Sequence, residues 1–180
     1  MDQTKHILVY SDSLTWGIVP GTRRRLPFDS RWPGVMHNAL NIGDVRIRVT
    51  EDCLNGRRTA FDDPYKPGRN ALAGIQQVIE AQSPLDVVVL LLGTNDFQSM
   101  HSHDAWHSAA GLAAAIARAA HDFDPQLRLF GLAGSALIDA GRALGLAVAV
   151  EAFVDQLLEA AGQDPVEGRL AMMSKKPRHA

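Results

Sequence analysis

The sequence predicts an α/β protein: a three-layer α/β/α sandwich built on a five-stranded parallel sheet, with strand order 2-1-3-4-5. Three observations carry that expectation. Short apolar runs rich in β-branched residues alternate with stretches of helical period, the pattern of parallel strands joined by helical crossovers. Polar clusters at 11–17, 55–57 and 93–96 each follow one of the first three runs, so this topology gathers them at one end of the sheet. With 180 residues and 46% hydrophobic content the chain can bury one core.

The first strand is expected at 6–10, and it ends abruptly because Ser11, Asp12 and Ser13 are small polar residues that cannot continue a buried strand. Trp32, Val35, Met36 and Leu40 then recur at helix spacing, and that helix should stop at 41–43. A second strand follows at 45–49. Asn70 is placed to cap a helix carrying Leu72, Ile75, Val78 and Ile79, which Ser83 and Pro84 terminate before a third strand at 86–92. The next helix starts near Asp104 with Trp106, Ala110, Ala113 and Ala117 along one face. The remaining elements are a strand at 127–132, a helix at 135–144 closed by Gly145, a fifth strand at 146–150, and a helix with Phe153, Val154, Leu157, Leu158 and Ala161 ended by Gly162. The expected organisation is one domain over 1–162 and a flexible tail over 163–180, where no period remains.

Composition narrows the function. Eighteen Lys plus Arg against twenty Asp plus Glu give a formal charge of -2 without a sustained basic face, which argues against nucleic acid as a partner. The run Arg23, Arg24, Arg25 reads as a solvated loop, or as the border of a site for an acidic substrate. Cys53 is the single cysteine, so neither an intrachain disulfide nor a thiolate metal site is expected, and a reducing, cytoplasmic location fits. Residues 1–5 are polar and resemble neither a signal peptide nor a membrane span. No cofactor, metal or membrane partner is expected, and homo-oligomer formation stays open.

Ser13, just past the first strand, is well placed for a nucleophile. Attack on an acyl carbonyl also needs donors aimed at the oxyanion, each worth about 3 kcal/mol of barrier. The Ser13 N–H, the Gly56 N–H and the Asn95 amide are candidates. Each cluster taken singly also reads as an ordinary turn or helix cap. His101, His103 and His107 line the loop after the third strand, where they read as a substitute base, as exposed loop histidines or, less readily, as metal ligands; His37 and His121 read as structural.

Taken together, these blocks resemble the SGNH, or GDSL-like, hydrolases, in the branch of arylesterases and acyltransferases. Residues 11–17, Ser-Asp-Ser-Leu-Thr-Trp-Gly, resemble that family's GDSLTWG with Ser11 in place of glycine. Residues 31–35 are similar to its RWPGV, 51–59 to its EEGLNGRTT with Cys53 in place of a glycine, and 91–96 contain its GTND. The resemblance spans about residues 5 to 110 and implies an SGNH/flavodoxin-like sheet. It implies Ser13 as nucleophile, Gly56 and Asn95 as oxyanion partners, and Asp12, Trp16 and Asp96 on the substrate side. The implied substrate is a small-molecule ester with a short acyl or aryl group.

The family's last block, a D-x-x-H supplying the base and its orienting aspartate, has no counterpart after Val150, where Glu151 to Asp155 run without histidine. Asp104 to His107 spell D-x-x-H, but at a helix start after the third strand, where the match reads as chance. A second reading is therefore a catalytically impaired scaffold of this family with a binding or structural role. Residues 111–155, with Asp124-Pro125, Gly131 to Ser135 and Glu151 to Asp155, resemble a segment of the A subunit of 5-oxoprolinase. The chain then reads as a chimera, natural or engineered, whose second segment completes the sheet of the first. A role in 5-oxoproline metabolism is the third reading.

Overall fold

The computed structural model of the protein describes residues 4–42, 46–121 and 128–133, with the isolated positions 164 and 167. Within them four parallel strands form one sheet in the order β2-β1-β3-β4. These are β1 (Lys5–Ser11), β2 (Ile47–Cys53), β3 (Val87–Leu92) and β4 (Arg128–Ala133). The helices are α1 (Ser13–Trp16), α2 (Trp32–Leu40), α3 (Ala71–Gln82) and α4 (Ala105–His121). The expected order 2-1-3-4 is observed; the expected strand at 146–150 and the helices at 135–144 and from Phe153 lie outside the described residues.

Strand alternation builds three layers. In β1, Leu8 and Tyr10 face a buried cluster with Ile75 and Ile79 of α3 and Leu112, Ala115 and Ala119 of α4. Ile7 and Val9 face the opposite cluster, with Met36 and Leu40 of α2. A parallel strand buried on both sides has to be apolar at every position, which is why β3 reads Val-Val-Val-Leu-Leu-Leu. Asn70 caps α3 as expected, its side chain accepting from Ala73 N at 3.2 Å.

Two expectations need correction. β2 runs to Cys53, four residues beyond the expected end at Val49. Its continuation is polar because this is an edge strand whose side chains bind cations: Glu51 takes both Arg25 and Arg31, and Asp52 takes Arg57. The second correction concerns the phase of α4. Trp106 is 73% exposed and Ala110, Ala113 and Ala117 face outward, while Ser108, Gly111, Leu112, Ala115 and Ala119 are buried. Alanine around most of the helix leaves little contrast for periodicity to read, so close approach decides which face turns inward.

That approach is tightest at Gly111, where an added Cβ would lie 2.2 Å from Thr59 Oγ1 and 2.9 Å from Thr59 Cβ. Gly111→Ala should gain up to about 1 kcal/mol of helix propensity but lose about 1–3 kcal/mol to overpacking. Net destabilisation in urea unfolding is expected; an equally or more stable variant would contradict this packing.

Candidate active site

The site begins where β1 stops. Asp12 caps α1, its Oδ1 accepting from Leu14 N at 2.9 Å, and the single turn closes at Gly17, whose N–H reaches Ser13 O. Gly17 has φ +77, and a Cβ there would stand 2.6 Å from Arg31 Cδ, so backbone and space both demand glycine. Ser13 is half-buried at the first helical position. Among the described residues nothing hydrogen-bonds its Oγ, and its N–H, one of the first-turn donors that a helix leaves unsatisfied, has no acceptor.

The loop after β2 is fastened to the same strand end. Leu54 N donates to Ser11 O at 3.0 Å and Arg57 N to Leu54 O at 3.1 Å, forming a turn in which Gly56 adopts φ +83. The buried Gly56 also has an N–H without an acceptor among the described residues. Arg57 lies underneath, 3% exposed, donating to Ser11 O at 3.1 Å and to Asp52 Oδ1 at 2.5 Å, with its guanidinium 3.8 Å from the Tyr10 ring centroid.

From the third loop, Asn95 joins the other two. Its Nδ2 donates to Asp12 Oδ2 at 3.3 Å and to Arg57 O at 3.0 Å, while its Oδ1 accepts from Gln98 at 3.2 Å. Both hydrogens of the Asn95 amide therefore have acceptors inside the protein, so an oxyanion would compete for one with Asp12. Ser13 and Gly56 offer the uncommitted donors.

The three residues expected on the substrate side each have protein partners. Burial pushes the Asp12 carboxyl up to about 6, against the pull of the Leu14 N–H and the Arg57 charge. Asp96 is fully buried and accepts from Thr59 Oγ1 at 2.7 Å and Thr59 N at 3.2 Å, with Arg58 Nε 3.5 Å away. Trp16 is half-buried against the α2-side cluster, and Arg25 lies 5.2 Å from its ring centroid. Ser11, where the resembled family has glycine, donates from Oγ to Leu91 O at 2.6 Å and pairs with Thr15 at 2.7 Å, tying α1 to β3.

None of the described histidine rings hydrogen-bonds Ser13. His107 Nδ1 pairs with Asp104 at 2.7 Å, and Asp104 also accepts from His107 N, so the D-x-x-H at this position caps α4. His103 is held by Arg58 and stacked on Phe61, and His101 Nε2 is buried without a hydrogen-bond partner among the described residues. His179 and residues 151–155 lie outside the described residues, as does the side chain of His121. Sequence reasoning missed the burial of Arg57 and Arg58, 3% and 2% exposed. The sign available was their place directly after the glycine turn.

Among the described residues no group of three or more His, Cys, Asp and Glu is placed to hold a metal ion, and no helix is long and apolar enough to cross a membrane. Burial pushes the Cys53 thiol up to about 12, so it is an inert core group rather than a nucleophile.

Known proteins divide over this chain. Its fold is that of ester hydrolases: the native aryl esterase of M. smegmatis is 30% identical with a TM-score of 0.64, over 71% of this chain and 63% of that one. A carbohydrate acetylesterase from Sinorhizobium meliloti, 24% identical over 83% of this chain and 80% of its own, shares the fold with a TM-score of 0.66. Sequence relatives point elsewhere. Residues 94–176 match the LamB/YcsF family. The A subunit of 5-oxoprolinase from Geobacillus kaustophilus is 35% identical over 126 residues, 66% of this chain and 49% of that protein. That of Bordetella pertussis is 57% identical over 54 residues, 30% of this chain and 21% of its own. The chain thus spans about half the length of the first of these relatives and about a fifth of the second.

The raised Asp12 carboxyl has a consequence for stability. The folded state holds this proton to higher pH than the unfolded chain, so stability falls as pH rises from about 4 to about 6. The loss from this group is about 2–3 kcal/mol. Asp12→Asn, which keeps an oxygen for the Leu14 cap, should flatten that slope in urea unfolding across the range; an unchanged slope would contradict the assignment.

Proposed function

We propose that the chain is a serine ester hydrolase or acyltransferase acting on short acyl or aryl esters. The observation that carries this reading is Ser13 itself: half-exposed at the C-terminal end of β1, its Oγ unbonded among the described residues, next in sequence to Asp12, which Asn95 ties to the loop after β2. Ser13 Oγ passes its proton to water and attacks the carbonyl carbon, and the Ser13 and Gly56 N–H groups receive the oxyanion. The C–O bond to the ester's alcohol or phenol breaks and that group leaves protonated. A water or second alcohol then cleaves the Ser13 acyl ester, giving acid or new ester and restoring the serine hydroxyl. Asp12 and Asn95 act as positioning residues, holding α1 against the loop after β2. The exposed Leu14, Ile18 and Leu26 supply apolar surface near the site for the acyl or aryl part. The esterases that share the fold support this reading.

A second reading has its own observation: no described histidine engages Ser13, and Ser13 Oγ needs a proton acceptor to become a competent nucleophile. On this reading the chain is a scaffold that binds without turning over, assembled as a chimera. The LamB/YcsF match over 94–176 supports a foreign origin for the second segment. A part in 5-oxoproline chemistry would rest on that segment and on partners supplying the rest of the site.

The readings separate in one experiment. The enzyme reading expects a fluorophosphonate adduct on Ser13 and hydrolysis of 4-nitrophenyl acetate that drops at least about a thousandfold in Ser13→Ala. A cooperatively melting chain that shows neither adduct nor turnover above buffer would leave the scaffold reading.

A further inference from the structure

Arg58 is 2% exposed, and its guanidinium is a donor at every nitrogen. Nη1 donates to Asp62 O at 2.8 Å, and Nε lies 3.5 Å from Asp96 without a hydrogen bond. Nη2 meets His103 Nδ1 at 2.5 Å. Arginine neither accepts a hydrogen bond nor gives up its proton, so His103 Nδ1 must be the acceptor. The ring is therefore neutral, with its hydrogen on Nε2. It is also stacked on Phe61, centroids 4.0 Å apart at 26°.

Phe61 and Arg58 belong to the loop after β2, and His103 to the loop after β3. The contact fastens one loop to the other, and in the second the chain continues back through Gln98, which donates to Asn95 Oδ1 at 3.2 Å. We propose that the His103–Arg58 contact is a pH-sensitive latch, closed while His103 is neutral and released when His103 takes up a proton. Protonation would set an N–H against an N–H and a second cation against a buried one.

Other titratable groups face the same ring. His107 lies 5.3 Å and His101 6.4 Å from it by ring centroids, and both add repulsion when charged. Asp96 opposes it but already serves Thr59 and Arg58, and Asp104 is paired with His107 at 2.7 Å. Burial first, then Arg58 and His107, hold His103 below its ordinary value. The closed state thus binds fewer protons than the open one, and closure weakens as pH falls below about 6.5. The latch stands whether or not Ser13 is a nucleophile.

Backbone amide exchange in the full chain tests it. Between about pH 7.5 and about pH 5.5, the protection factor of the His101 amide, which donates to Gln98 O at 2.9 Å, should fall by about tenfold in all, the signature of one proton taken up on opening. In His103→Gln, whose side-chain oxygen still accepts from Arg58, the fall should vanish while protection at neutral pH persists. His107→Gln should leave the fall in place. Protection independent of pH in the unaltered chain would overturn the proposal, as would a fall that survives in His103→Gln or disappears in His107→Gln.

Discussion

The structure around Ser13 depends on where one amide group puts its two hydrogens. Asn95 Nδ2 spans from Asp12 Oδ2 on the first loop to Arg57 O on the second. A buried amide without acceptors is costly, and so is a buried carboxylate without donors, so each of these groups makes the others tolerable. The sheet delivers three strand ends side by side, but parallel pairing fixes only the backbones. Together with the Arg57–Ser11 and Thr59–Asp96 bonds, Asn95 turns neighbouring strand ends into loops of fixed relative position, and it commits to that task the hydrogens a catalytic reading would give to substrate.

Much of the fold was legible because the middle of β1 and the length of β3 are packed on both faces and are apolar. Ile7 to Tyr10 and Val87 to Leu92 therefore stand out in the sequence, and the polar residues after them mark the sheet's functional edge. The cap at Asn70 was equally readable from its side-chain chemistry. Elsewhere the same rules misled. The outer half of β2 carries Glu51 and Asp52 for distant arginines, and no local pattern announces a strand whose polarity serves another segment. In α4 the inward face is chosen by the smallness of Gly111 and Ser108 rather than by apolar size.

The candidate site divides along similar lines. The block at 11–17 placed Ser13, and the glycine at 56 marked a turn, which the structure forms with positive φ. What residue order alone could not show was occupancy: that Asp96 is engaged by Thr59, or that Asp104 and His107 close a helix end instead of forming half of a triad. Motif letters specify which groups are near one another in sequence. Hydrogen-bond saturation, which decides whether a group is free to act, depends on partners that residue order does not pair, some as far apart as Thr59 and Asp96.

The ladder joining β3 to β4 is made of main-chain groups, and main-chain groups do not distinguish one segment's ancestry from another's. Side-chain fit is less permissive. Where α4 crosses Thr59 there is no room for a β-carbon, and Thr59 is the residue that satisfies buried Asp96. A helix exchanged into this slot is therefore favoured when it brings glycine at that one register. A single missing methyl group acts as the passport by which this scaffold admits or refuses a replacement segment.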